Sequence, residues 1–301
     1  MIVYTLLFTL LGKDPAENRY VEMFYIWLSY VYRNAALAAP DKVCILLDQP
    51  TIDYLNSNSI FGYILTNSKV PTEFRLISQP STLSQGITER YNMDIIGDFN
   101  EPAIFLDLDV LVMKPLTFVQ DIPIDTLSVV GEGDIYNDDY GGKVLERIPG
   151  HEVLPGLTGA IYAFQLGSRV ASIFTDVRRA CLAKDPPFYT VDQPFFNKYV
   201  YESIYRKENF IDIMKEGKVE NNKLNPSDSA VFVNYCGGPG EGTRHHQKML
   251  VMLCIDHLTG CKRVSTEPSP KEQPAEEDQT HQGQQPGAAP ETPAETSAAP
   301  E

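Results

Sequence analysis

The sequence is short of basic residues, with 25 Lys and Arg against 40 Asp and Glu and a formal net charge of −15. A nucleic-acid-binding protein needs a basic face that neutralises phosphates, so this balance argues against a nucleic-acid partner. Residues 265–301 contribute eight acidic residues and one lysine, which leaves −8 on the rest of the chain. An acidic chain of this kind needs a metal ion or a local basic patch if it is to bind phosphate groups.

Cysteine is also scarce and shows no pairing pattern. The five cysteines are odd in number and form no Cys-x-x-Cys pair: Cys44, Cys181, Cys236, Cys254 and Cys261. This spacing predicts neither a disulfide framework nor a zinc site. It indicates a reducing compartment, and we therefore expect a cytoplasmic protein.

A long hydrophobic run is missing as well. Residues 1–11 are apolar, but they lack a basic start and a small-residue cleavage site, and the run stops at Gly12. It is shorter than the about 20 residues that span a bilayer. We predict a buried first strand and no integral membrane segment.

The C-terminal stretch has no aromatic residue and is dominated by Pro, Glu, Gln, Ala and Thr. Such a segment cannot bury enough apolar surface to offset its ordering entropy. We predict one folded domain over residues 1–262, long enough for a full core, followed by a disordered tail over residues 263–301.

Strand and helix patterns alternate along the folded part. Strands are predicted at residues 2–10, 42–47, 74–77, 103–112, 127–131, 157–164 and 230–234, and helices at residues 18–37, 88–96 and 169–183, with two more ending at 201 and 258. This alternation predicts an α/β fold with a mostly parallel central sheet covered by helices. Ligands of such sheets bind at the carboxyl ends of the strands.

Two carboxylates interrupt the most apolar of these strands. Asp107 and Asp109 would lie on one face of the strand at residues 103–112, about 7 Å apart at about 3.3 Å per residue. Burying them costs several kcal/mol, roughly, unless a cation compensates, and oxygen ligands suit Mg²⁺ or Mn²⁺. The alternative is a strand that ends early and leaves both carboxylates in solvent.

Three later segments carry polar or glycine-rich patterns with two interpretations each. Thr158-Gly159 opens a strand, where glycine admits a ligand close to the backbone or simply makes a turn. Asp192-Gln193 precedes a helix and either reaches a ligand or caps the first turn. The third segment, residues 231–248, runs from a strand through Gly237-Gly238 to the basic start of a helix. It either cradles phosphate or is a flexible loop.

In this order, the segments resemble the GT-A (Rossmann-like) glycosyltransferases, in particular the glycogenin-like and galactosyltransferase-like (family 8-like) relatives. The resemblance covers about residues 1–258 and rests on residues 105–116, Thr158-Gly159, Asp192-Gln193 and residues 237–240. It implies a hexosyl- or deoxyhexosyl-transferase that uses Mn²⁺ (or Mg²⁺). The donor would be a nucleotide-diphospho-sugar, by family habit a UDP-sugar, and the acceptor a hydroxyl of a glycan, a protein or a small molecule.

The resemblance also implies roles for individual residues. Asp107 and Asp109 would bind the metal, with Asp109 the more direct ligand, Thr9 would face the base, and Arg90 would approach the diphosphate. Asp192 would approach the donor sugar or the acceptor. Further donor-binding candidates are Thr158, Gly159, Gln193, Gly237, Gly238 and Lys248.

The chain departs from the family pattern at Asn234, which stands where the family has a third metal ligand, a histidine. An asparagine carbonyl ligates hard cations but brings no imidazole. We expect Asn234 to act as the third ligand, with His245 or His246 as candidates to compensate for the missing imidazole.

Two chemical questions stay open at this point. An inverting transfer needs a base, for which Asp192 is the first candidate and Glu132 or Asp134 the next, whereas a retaining transfer needs none. A catalytically degenerate nucleotide-sugar- or carbohydrate-binding module is the alternative function. A nucleotidyltransferase fits less well, because residues 11–15 form no glycine- and lysine-rich loop.

Overall fold

The computed structural model describes residues 1–97, 101–142, 144–147, 154–184, 190–204, 209–236 and 242–264. The chain divides into one compact unit, Met1–Thr259, and a second, Gly260–Glu301. Residues 265–301, most of the predicted tail, lie outside the described residues. Within the described part, no helix is long and apolar enough to cross a membrane.

The larger unit is built on a seven-stranded sheet. Its strands are β1 (Ile2–Leu7), β2 (Lys42–Leu47), β3 (Thr72–Leu76), β4 (Pro102–Leu106), β6 (Leu127–Asp134), β7 (Pro155–Gln165) and β8 (Phe210–Asp212), in the order β3-β2-β1-β4-β7-β6-β8. The strands from β3 to β4 are parallel to one another, whereas β7 is antiparallel to both β4 and β6. The predicted α/β architecture with a mostly parallel sheet is confirmed.

A second, three-stranded sheet has the order β5-β10-β9, from β5 (Val110–Val112), β9 (Val219–Asn221) and β10 (Phe232–Asn234). Asn234 is the last residue of β10 and pairs with Val110. The chain therefore passes from the large sheet to the small one between Leu106 and Val110.

The helices cover the sheets. They are α1 (Tyr20–Asn34), α2 (Gln49–Ser57), α3 (Ser59–Asn67), α4 (Leu83–Ile87), α5 (Met93–Ile96), α6 (Arg169–Lys184), α7 (Gln193–Ser203) and α8 (Gly242–Val264), with 3₁₀ turns at Pro15–Glu17, Thr88–Tyr91 and Thr117–Val119. Helix α1 buries Val21, Phe24, Trp27, Leu28 and Val31, a spacing that places them on one helical face.

Core residues lie on both faces of the large sheet, because successive side chains of a strand point to opposite sides. Val3 and Ile104 belong to a cluster that includes Trp27 of α1. Tyr4 and Phe105 belong to a second cluster that includes Phe174 of α6 and Phe196 of α7. The central strands are thus buried between two helical layers, as their nearly continuous apolar sequence predicts.

Several predicted boundaries are wrong. The strand predicted at residues 103–112 is two strands in different sheets, and the helix predicted at 88–96 is a 3₁₀ turn and a short α5 separated by Asn92. The first strand ends at Leu7 instead of residue 10, and α8 continues to Val264, six residues past its predicted end. Helices α2, α3 and α4 and strands β8 and β9 were not predicted.

The four cysteines whose side chains are described, Cys44, Cys181, Cys236 and Cys254, are all free thiols. The cytoplasmic location inferred from cysteine usage stays a prediction.

We expect the aromatic cluster beneath α6 to stabilise the fold. The Phe174 ring is buried, with centroids 4.8 Å from Phe164 and 4.9 Å from Tyr162. Phe174→Ala should lower the free energy of unfolding by about 3–5 kcal/mol in urea titrations, because it leaves a cavity. The matched change Tyr63→Ala, at a 71% exposed ring, should stay within about 0.5 kcal/mol. Equal effects of the two changes would contradict this packing.

Candidate active site

Asp107 and Asp109 lie in a turn that connects the two sheets. Strand β4 ends at Leu106, after which the Asp107 N–H donates to Ala160 O at 2.8 Å and the Val110 N–H to Asp107 O at 3.1 Å. The expectation that both carboxylates share one face of a continuous strand is wrong, since the chain must turn to enter β5. The alternative prediction, a strand that ends early, is right about the strand, because β4 ends at Leu106. The alternative is right about the carboxylates only in part: the Asp107 and Asp109 side chains are 38% and 21% exposed, but each also contacts a partner side chain.

Arg90 is the partner of Asp107 and is itself 7% exposed. Its Nη1 lies 3.3 Å from Asp107 Oδ1 and donates to Gly159 O at 3.2 Å. Its Nε donates to Asp192 Oδ2 at 3.0 Å, and Nη2 also pairs with that oxygen. The guanidinium thus joins the end of β4, the bulged part of β7 and the start of α7.

Asp192 is buried, with 1% of its surface exposed. It occupies the N-cap position of α7, but its side chain makes no capping hydrogen bond. Its Oδ2 accepts instead from Arg90 and, at 2.5 Å, from the Tyr91 hydroxyl. The capping interpretation is therefore wrong, and the carboxylate is held by a buried ion pair.

Gly159 makes room for Arg90. The register of β6 against β7 shifts here, because Val129 pairs with Tyr162 and Val130 with Thr158, so that the residues between them bulge. A Cβ at Gly159 would lie 2.7 Å from Arg90 Nη2. We predicted that a ligand lies close to the backbone at Gly159; in this structure the guanidinium of Arg90 lies there instead.

The charges around this guanidinium do not balance. Burial raises the pKa of Asp107 to about 7; Arg90 lowers it, and Asp109 and Asp192 raise it. Two carboxylates, Asp107 and Asp192, thus pair with one guanidinium, while Asp109 adds a further negative charge near Asp107. A bound cation would relieve the excess negative charge.

Asn234 lies near Asp109, since the N–H of the next residue, Tyr235, donates to Asp109 O at 3.0 Å. The Asn234 side chain is 1% exposed, and neither Oδ1 nor Nδ2 has a hydrogen-bond partner in the described part of the chain. His245 Nδ1 lies 3.4 Å from Asp109 Oδ2, whereas His246 Nε2 lies 3.0 Å from Glu22.

These donors fit a divalent cation that accepts oxygen ligands and one nitrogen ligand. Within the described ranges no group of three His, Cys, Asp or Glu side chains is arranged for a metal. A site here therefore needs the amide of Asn234 or oxygens from a ligand in addition to Asp109 and His245. A buried amide without a partner is the kind of group that an ion or a ligand satisfies.

Thr9 follows β1 and is buried. Its N–H lies 3.2 Å from Asp48 Oδ2, and its hydroxyl lies 2.9 Å from that of Thr51. The predicted contact of Thr9 with a base stays a prediction.

Gln193 and Lys248 both have protein partners. Gln193 Nε2 donates to Asp139 O at 2.8 Å, as does the Thr190 hydroxyl at 2.9 Å, which joins this segment to the acidic loop after β6. Lys248 Nζ donates to Asn222 Oδ1 at 2.7 Å. The other predicted phosphate-binding residues, Gly237 and Gly238, lie outside the described residues.

A cavity of about 560 Å³ brings most of the predicted residues together at the carboxyl ends of β1 and β4. Its wall includes Thr9, Arg90, Asp107, Asp109, Thr158, Gly159, Asp192 and Gln193, but neither Asn234 nor Lys248. It also includes Lys13, Asn18 and Tyr20, which the sequence analysis missed. Their position just after the first parallel strand was the available signal.

The comparisons with known proteins identify the fold. No protein-family model and no curated protein matches the chain. The solved structure of the bifunctional glycosyltransferase WbbM resembles it with a TM-score of 0.52 and 14% identity, over 82% of this chain and 49% of WbbM. For GlyE of Streptococcus pneumoniae TIGR4 the TM-score is 0.49 and the identity 12%, and the match covers 90% of this chain and 65% of GlyE. For mouse xyloside xylosyltransferase 1 the TM-score is 0.48 and the identity 12%, and the match covers 79% of this chain and 98% of that protein.

The chain thus spans about half the length of WbbM and 65% of that of GlyE. At 14% identity the likeness to WbbM establishes the fold alone. The predicted GT-A fold is confirmed.

We expect Gly159→Ala to disturb the Arg90 ion pairs. The added Cβ would lie 2.7 Å from Arg90 Nη2 and 3.3 Å from the Tyr91 hydroxyl, so urea titrations should show a loss of about 1–3 kcal/mol of stability. Gly62→Ala, in helix α3 with no atom within 4 Å of its Cβ, is the control and should stabilise by up to about 1 kcal/mol. If Gly159→Ala matched the control, the close contact with Arg90 would not exist.

Proposed function

We propose that the protein is a metal-dependent glycosyltransferase that moves a sugar from a nucleotide-diphospho-sugar to a hydroxyl acceptor. The observation that carries the proposal is the cavity at the carboxyl ends of the parallel strands of a GT-A fold. This cavity collects Asp107, Asp109, Arg90 and Asp192. Ligands of open α/β sheets bind at this end.

The carboxylates would hold Mn²⁺ or Mg²⁺ with the diphosphate of the donor. Asp109 is the more direct ligand, because Asp107 already contacts Arg90. A bound divalent cation supplies charge that stabilises the departing nucleoside diphosphate. Among the described cavity residues, Lys13 and Arg90 add positive charge toward the same ligand.

Arg90 and Asp192 act mainly as positioning residues in this proposal. Arg90 fixes Asp107 and Gly159 through Nη1, and Asp192 holds Arg90 in place. Asp192 Oδ2 already accepts from Arg90 and from the Tyr91 hydroxyl, so these hydrogen bonds occupy the oxygen that would receive a proton. Asp192 is thus less suited to proton abstraction than the sequence suggested.

Glu132 is the next candidate for the base that an inverting transfer needs, although it does not line the cavity described above. Burial raises the pKa of its carboxyl, although the hydrogen bond from Asn221 Nδ2, at 2.9 Å, opposes the shift. A raised pKa makes a carboxylate a stronger base near neutral pH. Asp134, in contrast, is exposed and accepts from the Tyr136 N–H.

The proposal also names the classes of donor and acceptor. Family 8-like character, a UDP-sugar donor and transfer of a hexosyl or deoxyhexosyl group are carried over from the sequence resemblance. The acceptor would be a hydroxyl of a glycan, a protein or a small molecule.

A catalytically degenerate binding module is the second candidate. It is favoured by Asn234, which replaces the histidine expected from the family pattern. Such a module would bind a nucleotide-sugar or a carbohydrate without turnover.

Donor hydrolysis separates the two candidates. Purified protein is incubated with a panel of UDP- and GDP-sugars in Mn²⁺, Mg²⁺ or EDTA, and released nucleotide is measured. We expect cation-dependent release from one donor and a decrease of about a hundredfold or more in Asp109→Asn, because several kcal/mol of charge stabilisation are lost. Asp121→Asn, at an exposed carboxylate that does not line the cavity, should behave as the parent.

Two other results have distinct meanings. Cation-dependent nucleotide binding by calorimetry without release from any donor supports the binding module. If the protein neither releases nor binds nucleotide, the transferase and the nucleotide-sugar-binding module are both rejected.

A further inference from the structure

We propose that His245 supplies the imidazole ligand of the metal site, together with Asp109 and the amide oxygen of Asn234. This inference rests on the proposed function and specifies its metal site. It assigns the nitrogen ligand to helix α8, eleven residues beyond the position where the family pattern places it.

The spacing of the two side chains carries the first step. His245 Nδ1 and Asp109 Oδ2 are 3.4 Å apart. Two ligands about 2.1 Å from one ion, at a right angle, are about 3.0 Å apart. A shift of a few tenths of an ångström would therefore let both atoms bind the same ion.

The second step is the unpartnered amide of Asn234. Its Oδ1 and Nδ2 are buried and bond to no other group among the described residues, which is costly for a polar side chain. Strand β10 ends here, and the next N–H donates to the Asp109 carbonyl at 3.0 Å. A cation bound by Asp109 would supply the partner that the amide oxygen of Asn234 lacks.

The third step is the way in which α8 holds the imidazole. His245, Met249 and Met252 are buried at a helical spacing of four and seven residues, so His245 lies on the packed face. His246 follows at about 100° around the helix and contacts Glu22 of α1 instead. Of the two histidines named as candidates, the geometry assigns the role to His245.

A nitrogen ligand also predicts which cation is preferred. Carboxylates and carbonyl oxygens suit Mg²⁺ and Mn²⁺ alike, whereas imidazole favours transition metals. We therefore expect His245 to contribute to Mn²⁺ affinity and much less to Mg²⁺ affinity.

Pulsed electron paramagnetic resonance of Mn²⁺ bound to the full-length chain tests the proposal directly. A coordinated imidazole gives ¹⁴N modulation of the Mn²⁺ echo, and ¹⁵N labelling of histidine alters it. We expect this signal in the parent protein, with and without UDP. In His245→Gln this signal should be lost, and the Mn²⁺ affinity should be lower by at least about tenfold. His246→Gln is the matched control and should keep both, and circular dichroism establishes that each variant folds.

Each other outcome overturns the proposal. If the parent binds Mn²⁺ without histidine modulation, and Asp109→Asn abolishes binding, His245 is not a ligand while the metal-dependent transferase stands. Modulation that persists in folded His245→Gln, or that is lost in His246→Gln, also excludes His245. If the parent binds no Mn²⁺ with or without UDP, both this ligand and the metal dependence of the proposed function fail. Even if His245→Gln does not fold, the absence of histidine modulation in the parent protein overturns the proposal.

Discussion

The geometry of the cavity depends on the buried ion pair between Arg90 and Asp192. A buried charge is tolerated when its partners satisfy it, and removing one partner of such a pair costs about 3–5 kcal/mol. Arg90 meets this condition through Asp192, Asp107 and the carbonyl of Gly159. Its own backbone carbonyl accepts from the Tyr162 hydroxyl at 3.1 Å. One guanidinium thereby fixes the relative positions of β4, β7 and α7.

This arrangement lowers the cost of burying the carboxylates beside Arg90, although burial still raises the pKa of Asp107 to about 7. The guanidinium lies over the rings of Tyr91 and Phe105, at 5.2 and 5.3 Å from their centroids, which adds cation–π attraction to the ion pairs. Asp109, in contrast, contacts His245 and not Arg90, with His245 Nδ1 3.4 Å from Asp109 Oδ2. The fold thus presents an excess of negative charge at the end of β4, where the proposed function places a cation.

The sequence predicted the outline of the sheet better than the contacts of the site. The apolar run of β2 was predicted at its observed bounds, Lys42–Leu47, because a strand buried on both faces leaves a continuous hydrophobic signature. The split between β4 and β5 was not predictable in this way, because both strands are apolar and belong to different sheets. The pairing of Arg90 with Asp192 joins residues 102 positions apart. The residues next to Asp192 in the sequence could not show whether its side chain caps α7 or pairs with Arg90.

The same reasoning applies to the third metal ligand. A family pattern specifies a ligand by its position in the chain, but a cation responds to where the donor atom lies in space. Strand β10 brings Asn234 beside Asp109, and the packed face of α8 brings His245 to the same carboxylate. In the proposed metal site, an asparagine at the end of β10 is therefore compatible with an imidazole ligand, because His245 lies on the buried face of the following helix. Burial of Met249 and Met252 on that face is what fixes this helical register.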